Sequence, residues 1–308
     1  MSRLIDSGMG WASTNLQTIR DWIEAIELAM AEDDIGLGQG TLDSHDEARW
    51  LVLGALGLPV DSDEDIESEG LSELDRERLF AAAVERVQRR IPTAYVLKEA
   101  WLLGHRFRAD QRAIIPRSLL AELIVSPESM GGGLPPGAKI LDLCCGSASL
   151  AIIAAHRFHD CQVTAVDISP EALSLAAENV ADHGLKDRVQ LIESDLFAGL
   201  GLSDLGRFDL ILCNPPYVPL DKHQAMPAEF QCEPRLALAA GVDGMEVVQR
   251  VLGDFHRWLA PGGRLLLEVG QEGDATDDLL DLEFPDLTPI WLDTSQTRHH
   301  VLMLKGTP

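Results

Sequence analysis

Apolar residues recur at helical spacing through the first third of the chain. They fall at Ile19, Trp22, Ile23, Ile26 and Leu28 to Met30, then over Ala48 to Leu56 and Leu79 to Val87. The runs Gly36-Leu37-Gly38-Gln39-Gly40 and Asp61 to Glu69 interrupt this pattern as loops. No β-rich run occurs between Thr14 and Arg90, so residues 1–90 are expected to form a small helical domain. Pro92 ends it. The short apolar pieces from Tyr95 to Ile115, broken at Gly104-His105 and Ala109-Asp110, predict a β-hairpin within a linker spanning 91–137. Pro116-Arg117-Ser118 leads into a helix over 119–125, and Gly131 to Gly137 is a loop.

From Lys139 onward, strand and helix patterns alternate. Strands are expected at Ile140–Leu143, Gln162–Val166, Val189–Ile192, Phe208–Cys213 and Arg264–Val269, the last after a Pro261-Gly262-Gly263 turn. Helices are expected at Ala148–His156, from Pro170 to His183, and at Met245–Leu259. Such alternation predicts an α/β, doubly wound, mostly parallel sheet over 138–308.

The 308 residues suffice for one large or two modest domains. The longest apolar runs, such as Leu150 to Ala155, are too short to span a bilayer. The amino-terminal segment lacks the basic and apolar regions of a signal peptide, so a cytoplasmic location and no membrane partner are expected. A net charge of −25 argues against unaided nucleic-acid binding. It is consistent either with a solvated surface or with steering toward a basic partner. The five cysteines show no Cys-x-x-Cys pair and no His/Cys cluster, so no metal is expected. His299-His300 reads as a solvent-facing pair at a strand edge.

The chemistry gathers where the strands end. Ile140-Leu141-Asp142-Leu143 runs into the small-residue loop Cys144-Cys145-Gly146-Ser147-Ala148 and then a helix N-terminus, the ligand-binding end of a doubly wound sheet. The next strand ends in Asp167, 25 positions after Asp142, near the spacing at which an acid accepts from ribose hydroxyls. The third leads to Asp195-Leu196, an acceptor for an adenine amino group beside an apolar wall. The fourth leads to Asn214-Pro215-Pro216-Tyr217. Proline has no N–H, so this loop offers carbonyls, one amide and an aromatic face, a set suited to a planar –NH2 group. A dinucleotide fold is the alternative. Against it stand the incomplete Gly-rich fingerprint, the second acid at the third strand, and the Asn-Pro-Pro-Tyr loop.

On these residues the chain resembles the class I S-adenosylmethionine-dependent methyltransferases, and within them the protein-glutamine N5-methyltransferases. The pattern Asp-x-Gly-x-Gly-x-Gly stands here from Asp142 to Ala148, with Cys144 and Ala148 in place of its first and third glycines. Ile91-Pro92-Thr93-Ala94-Tyr95, Val166-Asp167-Ile168-Ser169-Pro170 and Glu233-Pro234-Arg235-Leu236-Ala237-Leu238 extend the likeness over essentially the whole chain. Pro116-Arg117-Ser118-Leu119-Leu120-Ala121-Glu122-Leu123, with Lys98-Glu99-Ala100-Trp101 and Gly104-His105, resembles the subgroup acting on large-subunit ribosomal protein L-three rather than release-factor enzymes.

The resemblance implies S-adenosylmethionine bound by Asp142, Cys144, Cys145, Gly146, Ser147, Ala148, Asp167, Ile168, Asp195, Leu196 and Asn214. It implies a substrate glutamine amide held by Asn214, Pro215, Pro216 and Tyr217. The helical domain would then recognise a protein substrate, expected to be a basic ribosomal protein without direct nucleic-acid contact. Release-factor glutamine methylation is the alternative within the family, adenine methylation lies further off, and a cofactor-binding regulator would have no use for the Asn-Pro-Pro-Tyr loop.

Overall fold

A computed structural model of the chain describes residues 16–62, 64–204, 206–270, 273–295 and 300–306. Thr14 and His299, named above, lie outside the described residues. Two compact units are present, one of residues 1–99 with 227–232 and one of 100–226 with 233–308.

The first unit is helical because its apolar residues and its caps agree. Helix α1 (Ile19–Glu32) opens on a capping box, in which Asp21 N–H donates to Thr18 Oγ1 at 3.2 Å and Thr18 N–H donates to Asp21 Oδ2 at 2.8 Å. Helix α2 (Ser44–Leu56) is capped by Asp43 and stops at Gly57, whose φ of 72° is the left-handed conformation that ends helices. Helix α3 (Glu73–Ala83) starts at Ser72 and runs into a wider π-type turn over Val84–Gln88. Ile19, Trp22, Ile23, Ile26, Leu51, Leu53 and Leu79 fill the core between the three helices. A short helix α4 (Thr93–Leu97) follows.

The wide turn carries Arg86 inward, where only 1% of the residue remains exposed. Its Nε donates to Glu47 Oε1 at 2.8 Å and one terminal nitrogen donates to the Gly36 carbonyl at 3.0 Å. Glu229, from the later segment of this unit, is fully buried. Its Oε1 lies 3.5 Å from Arg86 and 2.6 Å from Arg90, as charge contacts rather than aligned hydrogen bonds. Thr93 Oγ1 and Thr41 Oγ1 donate to the two oxygens of Glu47.

The second unit begins with a hairpin of β1 (Glu99–Leu102) and β2 (His105–Arg108), turned through Leu103 and Gly104, both at positive φ. It is shorter than the hairpin expected from sequence, because Thr93–Leu97 is helical. Helix α5 (Leu120–Val125) leads to the main sheet. The sheet contains β3 (Lys139–Leu143), β4 (Gln162–Asp167), β5 (Val189–Glu193), β6 (Phe208–Cys213), β7 (Leu259–Glu268), β8 (Ile290–Leu292) and β9 (Val301–Lys305). Their spatial order is β5-β4-β3-β6-β7-β9-β8. The first five are parallel, with Ile140 opposite Val163 on one side and Leu210 on the other, while β9 is antiparallel to both neighbours.

Helices α6 (Ser149–Arg157), α7 (Pro170–Asp182), α10 (Glu246–Asp254) and α11 (Gly273–Glu283) belong to this unit, with short helices α8 (Leu220–Ala225) and α9 (Arg235–Leu238). Ile140, Leu210 and Leu212 pack with α5 and α6. Leu141, Leu143, Ile211 and Cys213 pack with Val248 and Val251 of α10. The central strands are thus apolar on both faces, as parallel strands covered by helices require. Among the described residues no helix is long and apolar enough to cross a membrane.

Two further expectations differ from the structure, and one element goes beyond them. The run Pro261-Gly262-Gly263 is a bulge inside β7 rather than a turn before it. A Cβ on Gly263 would lie 2.7 Å from the Phe208 carbonyl, so only glycine lets the strands stay paired there. Helix α10 stops at Asp254 and continues as a 3-10 turn instead of reaching Leu259. The antiparallel β8–β9 pair was not anticipated.

The buried ion network of the helical unit makes a clear expectation. Arg86→Ala leaves Glu47 and Glu229 without their shared cation and should destabilise that unit by about 3–5 kcal/mol. Hydrogen exchange of the α1–α3 amides in the full chain measures it. A loss under about 1 kcal/mol would mean the carboxylates do not depend on Arg86.

Candidate active site

Strand order reverses between β3 and β6, and the crevice outside their carboxyl ends is where such sheets hold ligands. The loop leaving β3 is built from alternating left-handed residues: Cys144 at φ 56°, Gly146 at 53° and Ala148 at 62°. Two of them carry a Cβ, at a cost of roughly 1–2 kcal/mol each. The loop is held regardless. Cys145 N–H donates to the Val166 carbonyl at 3.0 Å, Ala148 N–H to the Cys145 carbonyl at 2.8 Å, and Asn179 Nδ2 to the Ser147 carbonyl at 3.1 Å.

Asp142 lies beneath this loop with 1% exposure. Its Oδ2 accepts from Ala151 N–H at 3.0 Å, in the first turn of α6, while Oδ1 is buried without a hydrogen-bond partner. Burial pushes its pKa up to about 8, and the nearby Asp167 charge adds to the rise. Asp167 ends β4. It accepts from Gly146 N–H at 2.8 Å through Oδ2 and from Ser169 N–H at 2.9 Å through Oδ1. Burial raises its pKa, opposed by these amide hydrogen bonds. Ser169 caps α7, with Pro170 in its first turn.

After β5, Ser194 Oγ donates to the Leu196 carbonyl at 2.5 Å and accepts from Gly199 N–H at 2.8 Å, folding a tight loop that presents Asp195. Asp195 Oδ2 lies 2.8 Å from Arg250 of α10. Sequence reasoning missed this cation, because nothing local connects positions 195 and 250.

After β6 comes Asn214-Pro215-Pro216-Tyr217. Gly244, at φ 80°, lies so close that a Cβ would sit 2.3 Å from the Tyr217 carbonyl oxygen, so a side chain there would displace this loop. Tyr217 OH reaches Glu268 Oε1 at 3.4 Å. Glu268, at the end of β7, also accepts from Ser118 Oγ at 2.5 Å and Leu119 N–H at 3.0 Å. Burial raises its pKa, and burial likewise raises that of the Tyr217 hydroxyl. Arg117 makes a bidentate pair with the buried Glu233, at 2.5 and 2.6 Å. Two buried acids thus gather distant segments around the loop. The sequence quotes those segments, but a partner 116 residues away leaves no local signal.

A cleft of about 260 Å³ opens among these elements. Cys144, Gly146, Asp167, Ile168, Asp195, Leu196 and Asn214 of the residues named from sequence line it, with Pro216. Asp142, Cys145, Ser147 and Ala148 are buried and do not line it, and neither does the buried Pro215. Tyr217 is also off the lining, half-buried with its ring against Gly270. Ile114, Leu236 and Glu246 border the cleft and were not foreseen. Among the described residues no protein group hydrogen-bonds the Asn214 side chain, so both its amide atoms remain available to a ligand. These groups fit the expected methyl donor. A buried, unpaired carboxylate oxygen suits an ammonium group, Asp167 suits a diol, and Ile168 with Leu196 suit a flat base.

Residues 134–286 match a family model described as a methyltransferase domain. Over 94% of its length the chain is 41% identical to the ribosomal protein uL3 glutamine methyltransferase of Bordetella pertussis, covering 95% of that protein. It is 38% identical to the protein of the same name from Neisseria gonorrhoeae, over 95% of this chain and 96% of that one. Among solved structures, a methyltransferase from Pyrococcus furiosus aligns over 77% of this chain and all of that one, at 17% identity and a TM-score of 0.47.

Asp142 sets a pH expectation. Its folded pKa lies above the unfolded value, so the folded state keeps the proton longer as pH rises. The stability that this group contributes is therefore full below about pH 4 and is lost as pH rises toward 8, by at most ~1.4 kcal/mol per pH unit. Asp167 and Glu268, shifted the same way, contribute to the same slope. Urea denaturation from pH 5 to 8 should show a shallower decline in Asp142→Asn than in the parent, and equal slopes would contradict the assignment.

Proposed function

This chain belongs to the family of the uL3 glutamine methyltransferases, and on that premise we propose that it methylates the side-chain amide nitrogen of a glutamine in ribosomal protein uL3. One observation carries the proposal: Asn214 and Pro216 line the same cleft as Gly146, Asp167 and Asp195. The apparatus for a planar amide and the apparatus for the methyl donor therefore meet in one small volume.

S-adenosylmethionine supplies a methyl group activated on a positively charged sulfur. The residues of the chain do the rest by placement. The unpaired Asp142 Oδ1, behind the cleft lining, would be the acceptor for the ammonium of the methionyl group. Asp167 would hold the ribose hydroxyls, its geometry set by the Gly146 and Ser169 amides. Asp195 would accept from the adenine amino group, with Arg250 holding its other side.

An amide nitrogen is a weak nucleophile because its lone pair is delocalised into the carbonyl. Asn214 Oδ1, which lines the cleft, would accept one of its hydrogens, and the Pro215 carbonyl, behind the lining, is the second acceptor that the family resemblance implies; together they would orient the lone pair and stabilise positive charge as it develops. Pro216 forms the apolar wall of the slot. Tyr217 is a positioning residue, anchored through Glu268 behind the loop. No general base is needed, since an N-methylated amide cation is strongly acidic.

The net charge of −25 supports a basic protein substrate over RNA. The helical unit supplies recognition of that substrate. Mass spectrometry of uL3, a release factor and an adenine-containing RNA, each incubated with the chain and labelled donor, tests the assignment. Methylation of a uL3 glutamine is expected, and methylation of the release factor or RNA alone would replace it.

Asn214→Ala separates binding from chemistry. Donor affinity, measured by calorimetry, should change little, because Asp142, Asp167 and Asp195 remain. Single-turnover methyl transfer should fall by about 10²–10³-fold, as when one preorganised transition-state hydrogen bond is removed. Transfer near the parent rate would reduce the Asn-Pro-Pro-Tyr loop to a structural turn.

A further inference from the structure

Away from the cleft, three histidines that no spacing rule connects meet in the second unit. His105 opens β2, His156 lies in the last turn of α6, and His183 follows α7 as its C-cap. One ring nitrogen from each lies within 4.8 Å of the other two, and all three rings are half-buried. The rings of His105 and His156 stack at 5.1 Å, and that of His183 meets His156 edge-on at 5.2 Å.

The hydrogen bonds set the tautomers. His183 Nε2 lies 2.8 Å from the Arg106 carbonyl, which only accepts, so Nε2 carries the hydrogen and Nδ1 presents a lone pair. That lone pair faces His156 Nε2 at 3.1 Å. A ring that donates one N–H to a backbone carbonyl while turning its other nitrogen inward is the usual arrangement of a metal-binding histidine. Burial lowers the basicity of His105 and His156, and neighbouring histidines lower it further.

We propose that His105, His156 and His183 form a binding site for a divalent transition-metal ion of the zinc class. Three imidazoles without a carboxylate suit zinc, nickel or copper rather than magnesium or calcium. Three protein ligands leave a fourth tetrahedral position for water. Zinc–nitrogen bonds of about 2.0–2.1 Å place tetrahedral ligands roughly 3.4 Å apart. His156 Nε2 and His183 Nδ1 lie 3.1 Å apart, joined by a hydrogen bond that the ion would replace, with His156 passing its hydrogen to its own Nδ1, and the His105 nitrogen lies within 4.8 Å of both. The ion would sit at the carboxyl ends of α6 and α7, where the helix dipoles favour a cation. It would join β2 to the carboxyl ends of both helices. The sequence reading foresaw no metal because the three ligands are scattered over three elements.

The test uses the full chain stripped with a chelator. Titration with Co²⁺ should give the d–d absorption of a tetrahedral site at one equivalent per chain, without a thiolate charge-transfer band, and Zn²⁺ should displace it. His105→Ala and His156→Ala should each weaken binding by more than the roughly 10–100-fold that loss of an outer-shell partner costs, while keeping the circular dichroism of the metal-free parent. Should either variant fold poorly, the parent labelled with ¹⁵N-histidine decides, because Zn²⁺ must shift the ring nitrogens of these three histidines together. Absence of binding, a thiolate band, affinity unchanged in both folded variants, or shifts at other histidines would each overturn the proposal.

Discussion

A carboxylate out of reach of water must be supplied with hydrogens or cations, and both units of this chain are arranged around that demand. In the helical unit Glu47 and Glu229 share Arg86. Around the cleft, Glu233 takes Arg117 and Glu268 takes Ser118, Leu119 and Tyr217. Asp167 takes two backbone amides. Each acid draws together segments far apart in the chain, so satisfying the charge and positioning the site are one event. Asp142 is the exception. One of its oxygens is satisfied by α6 and the other by nothing in the protein.

The loop after β3 shows a second economy of design. Its backbone keeps three left-handed residues although only one is glycine. The conformation is imposed by the hydrogen bonds from Cys145, Gly146, Ala148 and Asn179, which hold the loop from four directions. Backbone strain of this kind persists where the surroundings over-determine it. Asn179 extends the hold outward, accepting from Arg108 N–H at 2.7 Å, and so links the hairpin strand β2 to the same loop.

Legibility in the sequence followed locality. The central strands were visible because strands buried on both faces are written as unbroken apolar runs, and the acids were visible because they stand at the ends of those runs. Asn-Pro-Pro-Tyr carries its chemistry in four adjacent letters. Arg250 beside Asp195, Glu268 behind Tyr217 and Glu233 against Arg117 were not visible, since each pairing depends on strand order and helix packing. Pro261-Gly262-Gly263 misled for a related reason. The same residues that mark a turn also mark a bulge, and only the close Phe208 carbonyl on the neighbouring strand distinguishes them. The antiparallel β9 escaped because its apolar run, Val301 to Leu304, contains nothing that states strand direction.

The helical unit comes first in the chain, yet Glu229 is part of its core. On a ribosome, about 140 residues are added between Arg86 and that glutamate, which takes roughly 7–30 s at ordinary elongation rates. Throughout that interval Arg86 has only Glu47 as a buried counter-ion and Arg90 lacks its Glu229 partner, so the charge pairing of the unit is incomplete. The amino-terminal helices therefore reach their final stability only after most of the sheet has been synthesised.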